Sequence, residues 1–222
     1  MTKSAKRNLT GDFMDNGFFI SIEGPDGAGK STQIDLLKKH LKEKGYDVLE
    51  TREPGGTPIS EKIRQIILDK GNSEMASMTE ALLYAASRAQ LVAEVIKPAL
   101  ATGKVVICDR YVDSSIAYQG YGRGLGESIS VINDYAVDTC IPDLTLLFKL
   151  PPEIGSRRID EKSKDRLESE KMKFHRDVYR GYLEIEKKFP DRVVGIDAAG
   201  SIEEIANRIA DVVDGRLAKF EL

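Results

Sequence analysis

The residues Gly24 to Thr32 read GPDGAGKST, a full match to G-x-x-x-x-G-K-[ST], set between the apolar run Phe18-Phe19-Ile20-Ser21-Ile22 and an amphipathic stretch beginning at Ser31. Such a segment constrains the fold strongly. The pattern works only where a strand feeds a tight glycine turn that opens directly into a helix, so that backbone N–H groups and the positive helix end converge on phosphate oxygens. Gly24, Pro25, Asp26, Gly27, Ala28, Gly29, Lys30, Ser31 and Thr32 are therefore expected to cradle a nucleotide triphosphate. Lys30 would reach the β- and γ-phosphates, and the Ser31 hydroxyl would hold Mg²⁺.

After this loop, Ile34, Leu37 and Leu41 fall on one helical face until Gly45 ends the pattern. Short apolar runs recur at Val48-Leu49, Val105-Val106-Ile107-Cys108, Leu144-Thr145-Leu146-Leu147-Phe148 and Val193-Val194-Gly195-Ile196, with helical patterns between them. Buried strands alternating with helices predict an α/β fold with a mainly parallel sheet of about five strands, covered by helices on both faces. Ligands of such sheets bind at the carboxyl ends of the strands, where Glu23 and the pair Asp109-Arg110 are expected.

The chain has 222 residues, 41% hydrophobic and 31% charged, which suits one globular domain over residues 17–222 after a polar, flexible extension at Met1 to Asn16. A net charge of −3 offers no general attraction to nucleic acid or to an anionic membrane, so any anionic ligand must be met by local basic groups. No apolar run approaches the ~20 residues of a membrane span, and the N-terminus lacks a signal-peptide core; a cytoplasmic protein is expected. Cys108 and Cys140 form no C-x-x-C pair and read as reduced, buried thiols, while His40 and His175 are isolated and suggest no zinc motif.

The loop alone does not separate a kinase from a GTPase, a transport ATPase or a motor. No Asn-Lys-x-Asp guanine-reading segment and no LSGGQ-like segment is present. Arginines cluster instead near strand ends and in one late loop, as a site gripping several phosphates requires. That composition favours a phosphate acceptor.

Four further segments occur in order: Thr51-Arg52-Glu53-Pro54-Gly55-Gly56-Thr57; Tyr84-Ala85-Ala86-Ser87-Arg88; Asp109-Arg110-Tyr111-Val112-Asp113-Ser114-Ser115, continuing to Ala117-Tyr118-Gln119-Gly120; and Asp165-Arg166-Leu167-Glu168. Together with the phosphate loop they resemble the thymidylate kinases, from about Phe18 to the C-terminal helix. The resemblance implies a five-stranded parallel sheet, a homodimer, and Mg²⁺-assisted transfer of phosphate from ATP to dTMP, giving dTDP on the way to dTTP. It implies that Arg52 and Arg110 contact the dTMP phosphate and that Glu53 and Ser115 lie in the dTMP site. Tyr118 would lie against the sugar where a 2′-hydroxyl would be, and Asp26 would partner the 3′-hydroxyl.

The residue chemistry agrees with several of these roles. Arg52 and Arg110 follow strand-like runs, so each can aim a bidentate guanidinium at a monophosphate. Asp109 ends an apolar strand opposite the phosphate loop, suited to ordering Mg²⁺ through water or to orienting Arg110. Tyr84 and Arg88 lie four apart on one helix face, so the ring can stack on a base while the guanidinium donates to thymine O4. Gln119 could accept from N3–H. The family commonly has Phe where this chain has Tyr84.

No arginine stands in the phosphate loop, so charge on the transferring group must be neutralised from elsewhere. Residues Arg157 to Arg166, dense in cations and poor in apolar groups, read as a mobile lid spanning about 155–168. Resemblance to thymidylate kinases with a catalytic lid arginine makes Arg158 and Arg166 the catalytic candidates beside Lys30 and Arg110. Arg123, among Gly120, Gly122, Gly124 and Gly126, reads as part of another flexible loop. Two readings stay open beside a dTMP kinase: a kinase of another pyrimidine monophosphate such as dUMP, and a phosphate-loop ATPase switch driving a macromolecular partner.

Overall fold

A computed structural model describes residues 17–158, 160 and 164–220. The extension at 1–16 and lid positions Ile159, Glu161, Lys162 and Ser163 lie outside the described residues. Five strands, β1 (Phe18–Glu23), β2 (Val48–Arg52), β3 (Val105–Asp109), β4 (Leu144–Lys149) and β5 (Val193–Asp197), form one parallel sheet in the order β2-β3-β1-β4-β5. Each falls where the apolar runs predicted. Because β1 is central, the loop leaving it is flanked by the ends of β3 and β4.

Alternation along β1 divides the core. Phe18, Ile20 and Ile22 point to the face covered by α1 (Lys30–Glu43) and α9 (Ile202–Phe220), against Ile34, Leu37, Leu41, Ile205 and Ile209. Phe19 points to the other face, packed with Val106 and Cys108 against Leu91, Val92 and Ile96. These last residues belong to a continuous helical run made of α3 (Ser77–Leu91), a π-helical turn (Val92–Ile96) and α4 (Lys97–Ala101). All six β1 side chains are buried. Full burial of each large apolar one contributes roughly 1.5–3 kcal/mol, so a one-residue slip of this strand would be strongly opposed.

Around this frame lie α2 (Pro58–Leu68), α5 (Val112–Ser115), a π-helical segment (Ile116–Gly122), α6 (Ser128–Val137), α7 (Pro152–Gly155) and α8 (Met172–Lys188). The stretch read as a flexible loop around Gly120 and Gly122 is helical and packed instead. A Cβ at Gly122 would meet Phe174 Cε2 at 2.6 Å and Val178 Cγ2 at 2.8 Å, so glycine here permits close approach to α8.

A buried polar group anchors α5. The guanidinium of Arg192, just before β5, donates to both oxygens of Asp113 at 2.6 and 2.9 Å and to Thr145 Oγ1 at 2.7 Å, which in turn is hydrogen-bonded to Ser21 Oγ at 2.7 Å. This holds the turn after β3 against β1 and β4. Among the described residues no helix is long and apolar enough to cross a membrane, and Cys108 and Cys140 are both buried.

Candidate active site

The carboxyl ends of β1, β2 and β3 open onto a cavity of about 600 Å³. Its walls bring together Asp26, Gly27, Gly29, Lys30, Ser31, Thr32, Arg52, Glu53, Tyr84, Arg88, Asp109, Arg110, Ser115, Tyr118, Gln119 and Arg158. Gly24, Pro25 and Ala28 lie in the same loop, buried behind that wall.

The phosphate loop takes its shape from left-handed backbone at Gly27 (φ 73°) and Gly29 (φ 85°), the latter preceding the first turn of α1. A Cβ on Gly27 would lie 2.2 Å from Gly155 O, and one on Gly155 would lie 2.3 Å from Asp26 O. Two glycines therefore let α7 touch the loop backbone to backbone. Lys30 bends back over the loop, donating to Gly24 O at 3.2 Å and Pro25 O at 2.9 Å. Burial, reinforced by Arg110, lowers its ammonium to about 8 against the opposing pull of Asp26, Asp109 and Glu23.

Arg110 follows β3 with φ 67°, a left-handed conformation rare for a non-glycine residue. Its guanidinium donates to Gly24 O at 3.0 Å, Ser114 Oγ at 3.2 Å and Tyr182 Oη at 3.0 Å, pairs with Asp26, and lies over the Tyr118 ring at 5.1 Å. Tyr118 donates its hydroxyl to Asp26 at 2.8 Å. Burial would raise the Asp26 carboxyl, but Arg110 and Lys30 outweigh it and hold it at about 2. The site thus keeps an ionised aspartate between two cations.

Beneath Arg110 sits Glu23, fully buried at the end of β1. It accepts from the Tyr111 backbone N–H at 2.7 Å, from the Ser114 hydroxyl and from Tyr182 Oη at 3.3 Å. Burial first, then Asp113, pushes it up to about 7. The sequence placed Glu23 at the ligand end of the sheet without a specific role, although an acidic residue ending a largely apolar strand was a signal. It braces the turn that aims Arg110.

On the far side of the cavity, Arg88 is 1% exposed and held from four directions. It donates to Ser115 Oγ and Tyr111 O, each at 3.0 Å, and to Asn133 Oδ1, and it pairs with the buried Glu53. Burial pushes Glu53 up to about 7 even though Arg88 pulls it down. A guanidinium has five N–H donors; Arg88 Nε–H is the one without a partner among the described residues. Tyr84, one turn earlier, lines the same wall, and burial raises its phenol so that it stays neutral. Arg52 pairs with Glu61 at 2.8 Å and remains half exposed at the mouth. Asp109 has a buried Oδ1 with no hydrogen-bond partner.

The two lid arginines part company. Arg158 reaches the phosphate loop, donating to Gly27 O at 3.3 Å on the cavity wall. Arg166 turns away from the loop: its guanidinium donates to Ile67 O at 2.8 Å and to Glu80 Oε2 at 2.7 Å, nearly buried between α2 and α3. Glu80 went unnoticed in the sequence. Of the Asp165–Glu168 segment, Asp165, Leu167 and Glu168 line the cavity.

A family model described as Thymidylate kinase matches residues 22–209 of the chain. The thymidylate kinase of Exiguobacterium sp. is 48% identical over 204 residues, covering 91% of this chain and 96% of that protein. That of Lactobacillus helveticus is 51% identical over 212 residues, covering 92% and 99%. Among solved structures, a thymidylate kinase from Ehrlichia chaffeensis superposes with a TM-score of 0.72 at 35% identity, covering 89% of this chain and 98% of its own. The phosphate loop, the braced arginine after β3 and the enclosed wall of Tyr84 and Arg88 thus sit in a chain that belongs to the thymidylate kinase family.

Proposed function

We propose that the protein transfers the γ-phosphoryl group of ATP to dTMP, forming dTDP, with the acceptor phosphate held at Arg110 and Arg52 and the base enclosed by Tyr84, Arg88 and Gln119. The observation that carries this reading is a single cavity with a triphosphate loop at one end and a nucleobase-sized wall with an aromatic ring at the other. Arg110 lies between them, beside Asp26 and Tyr118, which suits the latter pair to the sugar. A dTMP phosphate on Arg110 would stand next to the loop that holds ATP, in line for attack.

No strong general base is needed, because the acceptor is already an anion and the rate comes from positioning and charge neutralisation. Lys30, which burial lowers to about 8, would meet the β- and γ-phosphates and be held fully charged by them. Mg²⁺ fits two residues here. The unpartnered buried Oδ1 of Asp109 and the Ser31 hydroxyl at the start of α1 both border the cavity. Bound with ATP, the ion would neutralise charge on the phosphates.

Arg158 is our choice for the lid arginine at the transferring group, supported by its approach to Gly27 O. Arg166 is assigned to holding the lid's far end. The segment 155–168 is proposed to close on ATP. As ATP and dTMP are soluble metabolites, the cytoplasm is the expected place of work.

The acceptor preference tests the base site. With ATP and Mg²⁺, dTMP is expected to be the best acceptor, dUMP weaker and dCMP nearly inactive, because a donor from Arg88 matches the O4 of thymine and opposes the amino group of cytosine. A coupled ADP-release assay across the common nucleoside monophosphates measures this. Equal use of dCMP would remove the thymine-edge assignment, and ATP consumption independent of any acceptor would favour an ATPase switch.

A homodimer is supported by an apolar face. Met78 and Leu82 on α3 and Val131 and Tyr135 on α6 are exposed, Tyr135 to 84%, on helices that pack side by side. Leu91 and Val92, farther along the same helical run, are buried in the core and take no part. Sedimentation at micromolar concentration is expected to show a two-subunit mass, and a fully active monomer would contradict it.

A further inference from the structure

Glu80 lies in the first turn of α3, is completely buried, and does not border the cavity. Its Oε1 accepts from Gln119 Nε2 at 2.9 Å and from Arg123 Nε at 3.2 Å, and its Oε2 from Arg123 Nη2 at 3.0 Å and Arg166 Nη2 at 2.7 Å. One carboxylate thus collects four donors from three residues, on two segments distant from it in sequence. Arg123 is itself fixed by Glu170 and by stacking 4.6 Å over the Phe174 ring. Burial would raise the Glu80 carboxyl, but the hydrogen bonds from Arg123, Gln119 and Arg166 hold it below the ordinary range. It is therefore an acceptor only.

That has a consequence for Gln119, which does border the cavity. A side-chain amide carries donors at one end and an acceptor at the other, and the two ends exchange by a half-turn. Against a carboxylate only the nitrogen end is tolerated, since the oxygen would meet like charge without a hydrogen. The oxygen is left as the end that can accept from a ligand. Thymine and uracil present an N3–H donor there, whereas cytosine presents an N3 lone pair.

We propose that Glu80 is a specificity-determining positioning residue, which locks the amide of Gln119 with its oxygen toward the base and so rejects cytosine without touching the substrate. This rests on the reading of the cavity as a dTMP site with Gln119 at the base edge. Arg123 and Arg166 keep the carboxylate in place, and Arg166 ties the far end of the lid to the same group.

The test is Glu80→Gln, whose neutral amide can both donate and accept, so that Gln119 is free to turn over. The ratio of kcat/KM for dTMP to that for dCMP is expected to fall at least ~10-fold, with dCMP gaining relative to dTMP, the effect of exchanging one matched hydrogen bond for a mismatch. A parallel fall for both acceptors with an unchanged ratio would show a purely structural role and overturn the proposal. If the variant is too unstable to purify, Glu80→Gln/Arg123→Gln, which removes a cation along with the charge, carries the same readout. A wild-type enzyme that uses dCMP as well as dTMP would overturn the base-edge reading and this proposal with it. A discriminating wild type whose variants keep its ratio would overturn this proposal alone.

Discussion

Lys30→Ala is expected to remove turnover, by ~10³-fold or more, while leaving the fold intact. Lys30 Nζ donates to two loop carbonyls, Gly24 O and Pro25 O, and it is the only cation of the phosphate loop. Its loss leaves the β- and γ-phosphates without a charge that acts as the transition state spreads negative charge over the transferring group. Removing a single preorganised donor commonly costs ~10²–10³ in rate, and a full charge at this place should cost at least the upper value. The two hydrogen bonds contribute only about 1 kcal/mol each, and removing a buried, partly desolvated ammonium offsets part of that. Tm is therefore expected to shift by no more than about 5 °C. ADP release and a thermal melt on the same preparation measure both, and a variant with normal turnover would remove the phosphate loop from the mechanism.

Arg158→Ala and Arg166→Ala are expected to differ in kind. Arg158 approaches the loop from the lid, so its charge would act chiefly on the transition state. Arginine fingers are worth roughly 10³–10⁵ in rate, and with other lid cations nearby the loss for Arg158→Ala should be at least ~10²-fold in kcat, with dTMP affinity within a few-fold of wild type. Arg166→Ala instead deprives buried Glu80 of one of its two cations. Breaking a buried pair costs about 3–5 kcal/mol; with Arg123 still in place the lower end applies, and Tm should fall by roughly 5–10 °C. Steady-state kinetics, dTMP titration and melting curves on both variants separate them. A kcat-specific loss in Arg166→Ala with unchanged Tm would reverse the assignment, and near-normal kcat in the double variant would make the lid a cover without a catalytic charge.

The same contrast marks what could be read in advance. Local pattern was enough for the phosphate loop, because G-x-x-x-x-G-K-[ST] describes a backbone shape and its contacts lie within nine residues. It was enough for the five strands, since a parallel sheet buried on both faces leaves continuous apolar runs, and for the helix face carrying Tyr84 and Arg88 together, since that needs only a four-residue spacing.

Pairing across the fold leaves no such trace. Arg158 meets Gly27 across 131 residues and Arg166 meets Glu80 across 86, so nothing in the composition of that segment tells which arginine reaches the phosphate loop. The close contact of Gly27 with Gly155 exists only once β4 lies beside β1. Glu80 looked like an ordinary acidic residue until burial surrounded it with four donors. The sequence by itself determined the sheet and the phosphate loop, because those rest on periodicity and backbone conformation. The tertiary structure alone decided which charges meet, because burial and ion pairing depend on distances that sequence separation does not encode.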